Sequence, residues 1–292
     1  MKFTETQITN YYSYKDKSYR KKYQNGHFTH LHVGLYAPSV YPFLFVKPAQ
    51  VEDTLDLERI QYLLFRGQED LSILVNDKMN DWRAKIILDC GCGYCGTSIF
   101  ISQNNNSIEH IDAISLSEKQ ISVSRELLKD LNIRNVSTEV SSIFDFRPDK
   151  HFDVIFSLEA ISHIEDYDIL FNKLNSILLH SGKVIISDYF LYKNEDAKER
   201  LDFHWKTNIS HIEKLVLVAR QNGFIIEKMQ NLTLEQMPFW VLSQCHSKIV
   251  LKTTDDNAER ERLEKSIDQH EFLYNSFLNT DIQYYFIVLS KS

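Results

Sequence analysis

Three of the chain's four cysteines fall within six residues, in "KIILDCGCGYCGTSIF" at positions 85–100. Cys90, Cys92 and Cys95 are soft ligands that could hold a metal, and Cys92-Gly-Tyr-Cys95 has the C-x-x-C spacing of a redox pair. The same letters contain Gly91-x-Gly93-x-x-Gly96, a spacing that lets backbone approach a nucleotide. A closed structural metal site needs about four ligands, and the fourth would have to be distant, as Cys245 or His246 are. Three ligands still suit a catalytic or iron–sulfur site, so spacing alone leaves a metal open. Context favours the glycine loop, because an apolar run precedes it and a helix-like run follows. A thioredoxin-like pair would normally sit in a much smaller fold. The expectation is a cofactor loop, with no metal. Asp89, two residues before Gly91, then bears on the cofactor: a carboxylate there repels a pyrophosphate and suits a cationic ligand.

The elements that must position this loop alternate along the chain. "KIILDCG", "IEHIDAIS", "NVSTEVSS", "HFDVIFSLEA", "KVIISDYF", "IIEKMQNLTL" and "DIQYYFIVLS" read as strands. "SEKQISVSRELLKDLN" places Ile121, Leu127, Leu128 and Leu131 at helical spacing, with Ser117 as N-cap and Gln120 completing a capping box. "DYDILFNKLNSILLHSG" reads as a helix closed by Gly182, "HIEKLVLVARQNGF" as one ending at Asn222-Gly223, and "NAERERLEKSIDQHEFLYNSFL" as a long charged one. Strands separated by helices of about ten to fifteen residues predict a doubly wound, mostly parallel α/β sheet. Such sheets bind ligands beyond the carboxyl ends of their strands, where the glycine loop lies.

Composition narrows the function. The 292 residues are 43% hydrophobic and 12% aromatic, enough for a full core, and a net charge of −7 gives no electrostatic footprint for nucleic acid. The local basic run "YRKKYQ" at 19–24 reads as a solvated face. No apolar run opens the chain, and none approaches the ~18 residues of a membrane span. Four cysteines in a chain of this length are no disulfide framework. The expectation is a cytoplasmic protein with reduced thiols.

The D-x-G-x-G arrangement of Asp89, Gly91 and Gly93 resembles the first motif of class I S-adenosylmethionine (SAM)-dependent methyltransferases, with Cys95 where that family has its third glycine. "AISLSEKQ" resembles the stretch after the second strand in the small-molecule subgroup that holds cyclopropane-fatty-acid synthases, sterol C-methyltransferases and geranyl-diphosphate C-methyltransferases. "FDVIFSLEAISHIED" resembles the fourth motif, and "LLHSGKVIISDY", "NLTLEQMP" and "DIQYYFIVLSK" resemble the late elements. "YYSYKDKSYRKKYQNGHFTHLHVGLYAP" resembles the subgroup's lid. In order and spacing the match runs over roughly residues 11–290.

The resemblance implies a Rossmann-like sheet with an antiparallel last strand plus a helical lid and cap. The parts are residues 1–80 as the lid, 81–233 as the SAM-binding core, 234–278 as a cap over the acceptor pocket and 279–292 as the last core strand. It implies SAM contacts from Tyr12, His32, Asp89, Gly91, Cys92, Gly93, Ser115, Gln120, Ser142, Ile143 and Leu158, and S-adenosylhomocysteine as product. Glu159, His163 and His32 become the acid/base candidates. Glu159 reads equally as a cofactor-side carboxylate, Gln120 as a cap, and His163 as a cap of the following helix. The implied activity is methyl transfer to a small-molecule acceptor in secondary metabolism, with a homodimer left open. Isoprenoid or alkene C-methylation is the alternative. A prenyl diphosphate acceptor would then need magnesium and a basic anchor from Arg20, Lys21 and Lys22. A non-catalytic protein of the same fold is the third reading.

Overall fold

A computed structural model describes residues 3–25, 28–46 and 48–292. The chain opens with α1 (Glu5–Tyr23), a short antiparallel pair β1 (Gln24–Asn25) and β2 (Phe28–Thr29), α2 (Pro48–Glu52) and α3 (Leu57–Trp82). The Gly26-His27 part of the expected lid stretch, and Met1, Lys2 and Lys47, lie outside the described residues. Asp56 caps α3 by accepting the Arg59 N–H at 2.8 Å. The expected lid boundary at residue 80 therefore falls inside α3.

The core alternates as anticipated: β3 (Ile86–Cys90), α4 (Gly96–Asn104), β4 (His110–Ser115), α5 (Glu118–Asp130), β5 (Val136–Val140), β6 (Phe152–Leu158), α6 (Tyr167–Ile177), β7 (Leu178–Leu191), α7 (Glu195–Trp205), α8 (Ile212–Gln221) and β8 (Phe224–Asn231). Then come α9 (Thr233–Thr253), α10 (Asn257–Leu278) and β9 (Ile282–Lys291). The strands form one sheet in the order β5-β4-β3-β6-β7-β9-β8. Its first five are parallel, and β9 runs antiparallel to both β7 and β8. Successive residues of each strand feed opposite faces. Ile87, Ile111, Val154 and Ile185 join one apolar cluster, while Leu88, Ile114, Ile155 and Ile186 join the other. From β3 the sheet grows toward β4 on one side and β6 on the other, so a crevice opens at the carboxyl ends of β3 and β6.

Two element boundaries depart from the sequence reading. α6 stops at Ile177, not at Gly182, because Leu178 turns extended (φ −89°, ψ 141°), pairs with Phe152 and is buried. β8 ends at Asn231, whose side-chain oxygen accepts the Thr233 N–H at 2.9 Å as α9 begins. The long charged helix spans the expected residues, 257–278.

Candidate active site

The loop after β3 is shaped by backbone that side chains tolerate poorly. Gly91 (φ +92°) and Gly93 (φ +54°) lie in the left-handed region, and Cys95, at the N-cap of α4, adopts φ +60° without being glycine. A Cβ on Gly91 would stand 2.3 Å from the Ala160 Cβ, so this glycine also lets the β3 and β6 loops touch. Asp89 is buried and accepts the Ser98 hydroxyl at 2.5 Å; burial raises its pKa to about 7. The cysteines are free thiols; burial pushes Cys90 up to about 12 and Cys92 well above its ordinary value. Among the described residues no group of three His, Cys, Asp or Glu side chains is placed to hold a metal ion.

Beyond the loop lies a cavity of about 690 Å³. That volume falls within the range of small-molecule and cofactor sites. Gly91 and Gly93 line it beside Ser115, Gln120, Ser142, Ile143 and Leu158. Ser117 caps α5 by accepting the Gln120 N–H at 3.3 Å, but Gln120 does not return the bond. The Ser117 N–H goes to Ser115 Oγ (3.2 Å), and the Ser115 hydroxyl donates to Gln120 Oε1 (2.9 Å). The expected capping box is thus replaced by a serine bridge that holds Gln120 at the cavity wall. Ser142 donates to Asp145 (2.9 Å).

Glu159 stands where β6 gives way to the loop, at φ +55°, a strained geometry for a side-chain-bearing residue. Its Oε1 accepts the Val33 N–H at 2.7 Å and the Tyr284 hydroxyl at 3.1 Å. Burial raises its pKa to about 8, the Val33 N–H works against that, and the Asp188 charge adds to it. Asp188, fully buried on β7, receives the Ser162 and Tyr189 N–H groups (2.8 and 2.7 Å) and so anchors the turn bearing His163.

His163 sits on the 3-10 turn Ile161–His163 and does not cap α6, whose N-cap is Asp166. Its Nδ1 lies 2.9 Å from the Lys206 carbonyl, which can only accept, so Nδ1 carries the proton and Nε2 accepts the Tyr12 hydroxyl (2.9 Å). Burial lowers its pKa. His32 is engaged at both nitrogens: Nδ1 donates to the Val33 carbonyl (2.9 Å) and Nε2 meets Thr97 Oγ1 (3.0 Å). Burial takes it down to about 4, so proton exchange would require it to release one of those bonds.

α1 is fastened over the cavity. Its buried Asp16 accepts the Tyr94 hydroxyl at 2.6 Å and pairs with Lys119 at 2.9 Å and Arg20 at 3.7 Å, tying α1 to the glycine loop and to α5. Tyr12 meets His163 from the same helix.

The structure thus brings Tyr12, His32, Gly91, Gly93, Ser115, Gln120, Ser142, Ile143, Leu158, Glu159 and His163 around one cavity. Asp89 and Cys92 face instead a hollow of about 30 Å³ behind the loop, shared with His32, Gly91 and Gly93. Sequence reading passed over Tyr284 and Asp188. The available signal was polar groups inside otherwise apolar strands, "KVIISDYF" and "DIQYYFIVLS". No helix among the described residues is long and apolar enough to cross a membrane.

Comparison with known proteins gives a family. A methyltransferase-domain model matches residues 83–274. Phosphoethanolamine N-methyltransferase 1 of Arabidopsis thaliana is 36% identical over 114 residues, 39% of this chain and 23% of that protein. The chain thus matches under a quarter of that relative's length. A geranyl diphosphate methyltransferase, solved with geranyl diphosphate and sinefungin, superposes with a TM-score of 0.78 over 99% of both chains at 16% identity. The [4+2]-cyclase SpnF superposes with 0.73 over 100% of this chain and 97% of its own, at 15% identity. At these identities the structural likenesses concern the fold alone.

Proposed function

The chain belongs to the methyltransferase-domain family of SAM-dependent enzymes, and from that premise we propose that it methylates a small-molecule acceptor of secondary metabolism, in the cytoplasm. The bound cofactor supplies a methyl group on a cationic sulfur. Gly91 and Gly93 would present backbone to it, Ser115 and Gln120 would face its ribose side, and Ser142, Ile143 and Leu158 its adenine side. The observation that carries this reading is a buried acid on the cavity wall, Glu159, which has no basic partner among the described residues and is raised by burial; Asp89, likewise buried and raised, lies behind the loop. A buried carboxylate without a countercharge favours a cationic ligand.

In this reading residues 1–80 and 234–278 form a roof that excludes water, with Tyr12 and His32 closing over the cofactor. Glu159 keeps its Oε2 outside the bonds to Val33 and Tyr284, and that oxygen balances positive charge or takes the acceptor's proton. Tyr12 and His163 form the second proton-bearing pair. A C-methylation of an isoprenoid or alkene draws on a further observation. Tyr189, Trp205 and Trp240 line the cavity with ring centroids 5.2–6.5 Å apart, a wall suited to stabilising a carbocation.

Calorimetry with SAM and S-adenosylhomocysteine, followed by methyl transfer from labelled SAM to candidate acceptors, tests the proposal. Both ligands should bind, and Asp89→Ala should weaken them. A folded chain that binds neither defeats it, and one that binds both yet methylates nothing across a broad acceptor panel would be the non-catalytic member of the fold.

A further inference from the structure

The roof side of the cavity carries an excess of positive charge. Lys15 and Lys22, two turns apart on one face of α1, and Arg262 on α10 all line it. Glu259 pairs with Arg262 (3.2 Å) but also with Lys21 (2.8 Å), so one carboxylate is divided between two cations. Lys22 Nζ is held by a neutral acceptor, the Ser243 carbonyl at 3.3 Å, and lies 3.5 Å from His270 Nε2. His270, 7% exposed and on the cavity wall, has an Nδ1 with no partner among the described residues. Burial lowers the pKa of Lys15 and of Lys22, and repulsion from Arg262 lowers both further. The basic run at 19–24 is divided: Arg20 turns to Asp16 and Lys21 to Glu259, while Lys22 alone of the three lines the cavity.

Resting on the methyltransferase reading above, we propose that the acceptor bears a phosphate or diphosphate group, which Lys15, Lys22 and Arg262 anchor while its methyl-accepting part lies along the aromatic wall. Of the three cations only Arg262 has a carboxylate partner among the described residues, one it shares with Lys21, and Glu5 is the one acid that α1 and α10 add to the lining, so the group retains a net positive charge that suits a dianion. Arginine and lysine together supply the fork and the point charge that phosphoryl oxygens take up. Lys15, Lys22 and Arg262 are then specificity-determining residues for the transfer, separate from the cofactor wall.

The test uses the full chain with inorganic phosphate and pyrophosphate as probes, titrated at low ionic strength with S-adenosylhomocysteine present and absent. Lys22→Met and Arg262→Met are compared with Lys22→Arg, and circular dichroism confirms that each is folded. Arg262 is about a third exposed, so its removal should leave the fold intact. The expected result is anion binding weakened about tenfold or more by each Met variant and retained by Lys22→Arg, with SAM affinity unchanged. Pyrophosphate outcompeting phosphate identifies a diphosphate acceptor, and equal affinities a monoester. The proposal is overturned if a SAM-binding chain takes up neither anion, if the Met variants bind them undiminished, or if acetate competes equally. A folded chain that fails to bind SAM as well defeats the underlying function instead.

Discussion

Replacing Glu159 by Gln keeps the shape of the side chain, so the Val33 N–H and Tyr284 hydroxyl retain an acceptor oxygen, while the ionisable group disappears. In the ligand-free chain Glu159 titrates near 8. At pH 6 such a group is ionised in about 1% of molecules and at pH 8 in about half, so the form that attracts a cation grows roughly fiftyfold across that interval. If the cationic sulfur sits beside this carboxylate, SAM binding must release a proton, and its affinity should rise with pH over this range, fiftyfold being the ceiling. S-Adenosylhomocysteine, whose sulfur is neutral, lacks that gain. The assay is calorimetry of both ligands from pH 6 to 8.5, read as the ratio of their affinities. Taking the ratio cancels titrations common to both ligands, including those of Asp89 and of the ligand amino group. The ratio should climb with pH in the natural chain and lie flat in Glu159→Gln. Equal slopes in the two proteins would refute the placement of Glu159 next to the sulfur and leave it a base toward the acceptor alone.

The same substitution has a stability signature. A carboxyl raised in the folded state contributes stability that is complete below the unfolded value and lost as pH climbs through the folded one. The ligand-free chain should therefore lose more stability than Glu159→Gln between about pH 4.5 and 8, read as the difference in melting temperature; the buried histidines titrate in the opposite sense and cancel in that difference. Gly91→Ala should destabilise by about 3 kcal/mol, from overpacking against Ala160 and a left-handed φ, and Ala160→Gly added to it should restore only the overpacking part in denaturant titrations. Tyr12→Phe removes the hydrogen bond to His163, about 0.5–1.5 kcal/mol, so cofactor affinity should fall roughly two- to twelvefold; unchanged binding would detach α1 from cofactor closure. Cys95→Ser should lower stability by about 1–3 kcal/mol, because a hydroxyl replaces a fully buried thiol, yet keep SAM binding; loss of binding with a stoichiometric metal would restore the metal-site reading.

What could be read from the residues in advance was the part governed by local rules. The glycine loop between an apolar strand and a helix, Ser117 at the N-cap of α5 and the 257–278 helix follow from period, capping and spacing. The early end of α6 did not, because Leu178 is taken by pairing with Phe152, a contact 26 residues away that outweighs helical periodicity. In the site, Gly91, Gly93, Ser115, Ser142, Leu158 and Glu159 line one cavity because each lies at the carboxyl end of a strand or on the loop after it, whereas Asp89 and Cys92 face the hollow behind the loop. Tyr284 and Arg262 escaped notice because their places depend on where β9 and α10 come to rest. His163 kept its place on the cavity, but its partners are a carbonyl and a phenol rather than a helix end.

The position of β9 sets the order in which this protein can be built. Although it is the last strand in sequence, β9 lies between β7 and β8 and delivers the Tyr284 hydroxyl to Glu159. During synthesis, domains fold as the chain emerges amino-terminal end first. Here β8 has no neighbour in the sheet until β9 arrives, and Glu159 lacks its phenol until then. A nascent chain ending before Ile282 would carry the whole glycine loop and β3 to β7, yet leave one edge of β7 unpaired and the acid at its centre incompletely held. Closing that gap joins residues about a hundred positions apart, the kind of long-range contact that slows folding. The glycine loop can thus take shape well before the acid opposite it is secured, so a functional site would be among the last features of the molecule to form.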